Sequence, residues 1–294
     1  MFIQKQIMKQ LISHITFLTN NKFHNIQSLS GGSISSAYLL KSDSANYFLK
    51  VNSNNDALDM FVAEQTGLKA IEETQTIAVP KVHIVDSYQE KAFLLMDYVE
   101  ESKHASSDDY KALGTQLAQL HLNHHDTFGF SSNNFIGSLP QSNSQHSNWE
   151  EFYWHERIAP QLKLAKQKKL LRTSEIPSAQ TAISVFENLL GKVAKPSLVH
   201  GDLWGGNYLI ATDGTPCLID PAVYYGHPMV DIAMSKLFGG FGNEFYNSYH
   251  EVIPKSHNYD AQIDLYQLYF LLVHLNLFGR SYYGGIATIL NRYF

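Results

Sequence analysis

The stretch LVHGDLWGGNYLIATDGTPCLIDPA, residues 198–222, constrains this 294-residue chain more than any other. Two short apolar runs, YLIA and PCLI, flank Asp213-Gly214, a dipeptide that favours a tight turn between two strands. A hairpin returns the chain to its starting end. Asn207, just before the first run, and Asp220, just after the second, are therefore expected side by side. Ordinary turn chemistry accounts for Asp213 but leaves the combined spacing of Asp202, Asn207 and Asp220 unexplained.

Asp202 and Asn207 stand in the pattern H-x-D-x-x-x-x-N. This is the spacing of a phosphotransferase catalytic loop, in which the Asp receives the acceptor hydroxyl proton and the Asn holds Mg²⁺. Two oxygen ligands brought together by a hairpin suit a hard cation, with nucleotide phosphates and water completing its shell. Asp202 is thus the candidate catalytic base, and Asn207 and Asp220 are the candidate metal ligands.

The first hundred residues carry a different pattern. Ile3, Ile7, Leu11, Ile15 and Leu18 recur at helical spacing over residues 2–18. From Asn25 to Val51 the chain reads strand, glycine loop (SGGSISS), strand (AYLLK), turn (SDSAN), strand (YFLKV), an antiparallel meander. Residues 57–73 return to helical spacing, and VHIVDSY and KAFLLMDYV form a further strand pair, giving a five-stranded sheet with one inserted helix. Gly31 and Gly32 lie where backbone N–H groups can approach phosphate oxygens, although a plain turn explains a glycine pair equally well. Alternation puts Lys50 on the same face as Phe48, where a lysine needs a partner or a ligand. Glu64, in the following helix, is the natural partner, and such a pair holds the ammonium against the α/β-phosphates. An ordinary strand-to-helix salt bridge is the bland alternative.

Residues 100–109, EESKHASSDD, read as a linker or the start of a helix. Helical patterns follow at 110–125, 149–170, 178–193, 229–238 and 260–278, with a long polar loop at 131–148 anchored by Phe135, Ile136 and Leu139. The expected organisation is a sheet-based unit over residues 1–98 and a larger, mainly helical unit over residues 99–294.

With 22 Lys+Arg against 27 Asp+Glu, the net charge of −5 disfavours nucleic acid as a partner. A single cysteine, Cys217, excludes an intrachain disulfide. The N-terminal MFIQKQIMKQ lacks an uninterrupted apolar region, so it does not read as a signal peptide. The most apolar stretch, residues 265–278, contains Gln267, His274 and Asn276 and is too short for a membrane span. A soluble, cytoplasmic protein, with a monomer as the default, is the expectation.

The segments HGDLWGGN, IDPAVYYGHPMVDIAM, NNFIGSLPQSN and YQLYFLLVHLNLFG resemble the fructosamine (ketosamine) kinase family, of protein-kinase-like α+β fold, from the glycine loop near Gly31 to about Phe278. Trp204 and the glycines after it separate this group from aminoglycoside and choline kinases. The resemblance implies ATP- and Mg²⁺-dependent phosphorylation of the 3-hydroxyl of a ketoamine on a protein lysine or free amine, after which the adduct falls apart. That is a protein-repair role. It also implies a two-lobed architecture, with ATP at the glycine loop (Gly31, Gly32, Ser33, Ser35), at Lys50 and Glu64, and at the Asp97, Tyr98 and Val99 backbone. By the same resemblance Trp204 packs on the sugar, and His274 and Asn276 line the acceptor pocket. A core-plugging tryptophan and a histidine satisfied within a helix are the bland alternatives. Asp231 is expected to brace the catalytic loop and His200 to bond backbone. Ser35 stands where many members carry Asn, and Ser33 where some carry a redox-linked cysteine, so no such switch is expected.

Two competitors remain. Another small-molecule kinase of the same fold, acting on an aminoglycoside- or choline-like amine, would favour an acidic cleft. Residues 232–294 instead balance Glu244, Glu251, Asp260 and Asp264 against Lys236, Lys255, Arg280 and Arg292. A non-catalytic nucleotide-binding module would typically lack the lysine, the base or a metal ligand, all of which are present here.

Overall fold

The computed structural model describes residues 2–29, 35–191 and 195–294, so Gly31, Gly32 and Ser33 lie outside the described residues. The chain divides into two compact units, residues 1–69 with 80–100 and residues 70–79 with 101–294.

The first unit opens with helix α1 (Phe2–Thr19). Strands β1 (Phe23–Leu29), β2 (Ser36–Ser42) and β3 (Asn46–Asn52) follow, then α2 (Ala57–Thr74), β4 (Val82–Tyr88) and β5 (Lys91–Asp97). Their order in the sheet is β1-β2-β3-β5-β4, antiparallel throughout. Composition explains why β5 sits inside and β4 at the edge. Residues 92–96 of β5 are all buried, whereas β4 carries His83, Asp86 and Ser87 and is only partly covered. On β3, Tyr47, Leu49 and Val51 point to one face, where Leu40, Phe93 and Leu95 join Leu11, Ile12 and Ile15 of α1 in a common core. The pleat sends Lys50 to the opposite face, as its alternation requires.

The second unit begins with α3 (Ser107–His121), whose start is fixed by a capping box: Ser106 accepts from the Asp109 amide and Asp109 accepts from the Ser106 amide. The helix expected over 110–125 therefore begins and ends earlier, and the polar run before it supplies the cap. The loop at 131–148 contains a small hairpin, β6 (Asn134–Ile136) with β7 (Leu139–Gln141). The helix expected over 149–170 is α4 (Trp149–Phe152), a π-helical turn (Tyr153–Ile158) and α5 (Ala159–Gln167) in succession. Then come α6 (Ala179–Leu189), β8 (Ser197–Val199), β9 (Tyr208–Ile210), β10 (Pro216–Leu218), β11 (Tyr224–Gly226) and α7 (Met229–Phe238).

Three further helices complete the unit, α8 (Asn243–Val252), α9 (Tyr259–Phe278) and α10 (Tyr283–Tyr293). The first and last lie outside the helical patterns expected from the sequence. Tyrosines, Asn and His blur the apolar face of α8, and Gly284-Gly285 near the start of α10 read as breakers. Helix α9 is buried on nearly every side and forms the centre of this unit. Among the described residues, no helix is long and apolar enough to cross a membrane.

Candidate active site

In the second unit, β9 and β10 pair as the Asp213-Gly214 turn demands, with Tyr208 opposite Leu218 and Ile210 opposite Pro216. Gly214 takes φ +87°. The hairpin closes at its open end through the Ile219 amide, which donates to the Asn207 carbonyl at 3.0 Å. Asn207 is 4% exposed, and its side-chain amide nitrogen donates to the Asp202 carbonyl (2.8 Å), the Asp202 carboxylate (3.2 Å) and the Asp220 carbonyl (3.5 Å). One amide thus ties together the three positions, and its use as donor leaves the Asn207 Oδ1 as the atom suited to a cation. Asp220 itself adopts φ +54°, a left-handed conformation uncommon for non-glycine residues that Asn20, Gln75, Gln89 and Lys169 also hold.

Burial, with the neighbouring charge of Asp220 next in weight, pushes the Asp202 carboxyl up to about 7, and the bond from Asn207 opposes this. The Asp220 carboxylate and the Asn207 amide oxygen form a donor set that fits a divalent cation sharing its shell with phosphates and water. Among the described residues, no three His, Cys, Asp or Glu side chains cluster to hold a metal by themselves.

The catalytic loop is held from behind. Asp231, on the first turn of α7, accepts from the His200 amide (2.7 Å), the Gly201 amide (2.8 Å) and the His121 ring (Nε2, 3.0 Å). The Tyr249 hydroxyl donates in turn to His121 Nδ1 at 2.8 Å. His200 donates from Nε2 to the Ile219 carbonyl (2.9 Å) and accepts the Asp202 amide on Nδ1 (3.3 Å). Both residues take the bracing roles their positions suggested. Gly201 has φ +83°, and a Cβ there would fall 2.1 Å from the Ala222 carbonyl oxygen, so no other residue fits.

A second brace was not foreseen in the sequence. Gln141 donates to the Ala222 carbonyl (3.3 Å) and to Asn134 Oδ1 (2.7 Å), Asn134 donates to the Val223 carbonyl (2.8 Å), and the Tyr269 hydroxyl donates to Gln141 Oε1 (2.5 Å). The fully buried Arg157 guanidinium lies 3.9 Å over the Tyr224 ring and donates to Asn143 Oδ1 (2.6 Å) and the Ser142 carbonyl (2.5 Å). The 134–143 loop thereby holds the segment immediately after Asp220. Its crowding of Asn and Gln around apolar anchors was the available signal.

Trp204 is 41% exposed, with its ring over Gly206. His274 is half-buried on α9, donates from Nδ1 to the Phe270 carbonyl (2.8 Å), and contacts the rings of Phe238, Phe278 and Tyr282. Asn276 is 4% exposed and faces α5, where its amide donates to the Gln161 carbonyl (3.0 Å) and Oε1 (2.9 Å). That placement is in the interface between two helices.

In the first unit, Lys50 Nζ bonds Glu64 Oε1 at 2.7 Å, and both side chains are largely covered, at 12% and 13% exposure. Ser35 accepts from the Asn52 amide at 3.3 Å. The Asp97 amide donates to the Lys81 carbonyl and the Tyr98 amide to the Asn46 carbonyl, while His83 Nε2 donates to Asp97 Oδ1 at 2.7 Å.

An N-terminal antiparallel sheet followed by a mostly helical part, with an aspartate, an asparagine and a second aspartate on one loop-and-hairpin, defines a protein-kinase-like phosphotransferase. The same fold recurs in the structure of an aminoglycoside phosphotransferase in a ternary complex with ADP and hygromycin B (TM-score 0.60, 16% identity, 92% of this chain and 94% of that one). The crystal structure of a protein assigned as a fructosamine-3-kinase from Thermobifida fusca aligns with TM-score 0.82 and 29% identity, over 95% of this chain and 96% of that one. The fructosamine kinase family model matches residues 4–294, and the chain belongs to that family. It is 39% identical to a chloroplastic protein-ribulosamine 3-kinase of Oryza sativa subsp. indica (92% of this chain, 79% of the relative). It is 35% identical to a ketosamine-3-kinase of Mus musculus (88% and 92%).

Proposed function

We propose that this chain is a ketoamine kinase, transferring the γ-phosphoryl group of ATP to a sugar hydroxyl of a ketoamine such as a ribulosamine or fructosamine adduct. The observation that carries the reading is the joining of Asp202, Asn207 and Asp220 through one side-chain amide, within a family that spans the chain. Phosphoryl transfer passes through a loose transition state, so the protein's work is orientation and charge neutralisation. Asp202 orients the acceptor hydroxyl in line with the phosphorus and accepts its proton late. Its elevated proton affinity suits that task near neutral pH. Asn207 Oδ1 and the Asp220 carboxylate would hold Mg²⁺, which when bound neutralises the triphosphate. Lys50, oriented by Glu64, meets the α/β-phosphates. Of the three residues 97–99, the first two amides are engaged by backbone carbonyls, so Val99 is the one offered to adenine. The acceptor sugar lies against Trp204, with His274 further out. Asn276, turned into the α5 interface, is assigned no substrate contact. Action on protein-bound ketoamines in the cytoplasm belongs to the same proposal.

The test is phosphotransfer from ATP to synthetic ribulosyl and fructosyl amines. Wild-type protein is expected to phosphorylate at least one of them. Asp202→Ala is expected to lower kcat by about 10³-fold, in the range of general-base losses, with Mg·ATP affinity moved less than threefold. Unchanged turnover in that variant rejects the assignment.

A further inference from the structure

Between Glu156 and Glu175 the chain departs from its own charge balance. That span holds Arg157, Lys163, Lys166, Lys168, Lys169 and Arg172 and no Asp or Glu, whereas the rest of the chain holds 16 Lys+Arg against 27 Asp+Glu. Arg157 is buried and committed to Tyr224 and Asn143. The other five are exposed, and the phosphotransfer chemistry uses none of them. Lys166, in the last turn of α5, complements the helix dipole, but Lys168, Lys169 and Arg172 lie past the end of that helix.

The fold adds to this set. Lys168 Nζ donates to the Asn276 carbonyl at 2.7 Å, near the end of α9. From just beyond α9, Arg280 donates back to the Leu170 carbonyl at 3.3 Å. Arg280 also stacks over the Tyr283 ring at 4.4 Å, the Tyr283 hydroxyl donates to Glu175, and Glu175 accepts from Arg172 Nε at 3.1 Å. The end of α5, the turn after it and the chain after α9 are thereby one surface with six exposed cations. Glu175, the carboxylate bonded into it, is 18% exposed, while its partner Arg172 is 79% exposed. Phe278, 58% exposed, lies between Asn276 and Arg280, the two residues fastened to segment 168–170. An outward phenyl ring thus stands among the cations.

Such a face asks for a polyanion. The field of the acidic remainder of the chain decays over about 8 Å at physiological ionic strength, so it does not cancel the patch for a partner seated on it. Four of the six cations are lysines, point charges on flexible stems. These suit a mobile field of phosphates better than the fixed, bidentate geometry that favours arginine. The ring decides which polyanion. On a nucleic acid duplex it would meet sugar and phosphate, a polar surface that offers it nothing. At the headgroup level of a bilayer it enters the apolar boundary, while lysine stems lie along that boundary with their ammonium groups among the phosphates.

We propose that the face formed by Lys163, Lys166, Lys168, Lys169, Arg172 and Arg280 around Phe278 is a peripheral docking surface for bilayers rich in anionic phospholipid.

The test is co-sedimentation of the full chain with vesicles of phosphatidylcholine alone and of phosphatidylcholine with about one-third phosphatidylglycerol. In about 0.05 M salt, partition onto the anionic vesicles is expected to exceed that onto the neutral ones at least tenfold, and to fall at least tenfold in about 0.3 M salt. Each cation at an anionic surface contributes about fivefold, so Lys163→Glu combined with Lys169→Glu should lower the partition more than tenfold. Phe278→Ser, which leaves the charge alone, should lower it about threefold to tenfold. All three positions are exposed, and a thermal melt verifies that the variants fold. Equal binding to neutral and anionic vesicles, or binding to neither, overturns the inference. So does a charge-reversed variant that binds anionic vesicles as the wild type does. Displacement from the vesicles by an equal phosphate concentration of a duplex oligonucleotide or of free glycerol phosphate also overturns it, because the face would then read nucleic acid or an isolated phosphate.

Discussion

At Asp220 an unfavourable backbone angle and a like-charged neighbour coincide, and both are tolerable if the side chain serves a cation. The consequence is measurable without turnover. In calorimetry, Mg²⁺ is expected to strengthen ATP binding to the wild-type protein at least tenfold and to have less than a twofold effect on Asp220→Ala. Equal Mg²⁺ dependence in both proteins removes Asp220 from the metal site. The single thiol plays no part in this chemistry: Cys217 is buried on β10, and burial pushes it up to about 12. The residues proposed to carry the chemistry could be singled out in the sequence because they are close in it. Asp202, Asn207 and Asp220 lie on one loop and hairpin, and Lys50 and Glu64 on consecutive elements. The segment holding Asn134 and Gln141 stood out in the sequence, but the partners of Asn134, Gln141 and Arg157 were not readable. Asn134 and Gln141 contact Val223, Ala222 and Tyr269 across separations of 89, 81 and 128 residues, which no local pattern encodes, and Arg157 likewise meets Tyr224 far along the chain.

Among the elements, the α3–α8 contact shows how a helix missed in the sequence becomes indispensable in the fold. Gly114 of α3 lies so close to α8 that a Cβ would fall 2.2 Å from the Phe245 carbonyl oxygen and 2.3 Å from the Ser248 hydroxyl. Glycine is unfavourable in a helix interior by about 1 kcal/mol relative to alanine, yet here the smaller residue permits the approach. Gly114→Ala should therefore destabilise the protein by about 2–3 kcal/mol, despite its better helix propensity, because overpacking outweighs it. Urea denaturation checks the sign, and a stabilised variant refutes the close contact. The five strands and the long helices were legible from apolar patterning together with the turn residues between them. Helix α8 was not, because Phe245 and Tyr249 mark its buried face amid polar and aromatic residues of similar bulk.

For the molecule as a whole, buried histidines weaken the fold in acid. Burial pushes His227 down to about 3, and His200, His250 and His274 are lowered as well, in each case chiefly by desolvation. These four groups bind fewer protons in the folded protein than in the unfolded chain below pH 6.5, so their contribution to stability is full above that pH and declines as pH falls toward 3, while Asp202, raised to about 7, works in the opposite sense. His227 alone should contribute about 1 kcal/mol per pH unit in that window. His227→Asn, which keeps an acceptor for the Met229 amide now bonded to Nδ1, is expected to flatten the fall in Tm between pH 6.5 and 5. An unchanged slope excludes His227 as a source. The carboxylate of Asp231 has another consequence, for the loop it grips. Loops ordinarily surrender their amide protons early, but the His200 and Gly201 protons are clasped by a side chain that no water reaches. In deuterium oxide these two should be among the last in the chain to be replaced, outlasting many helical amides and giving way only when the whole unit opens.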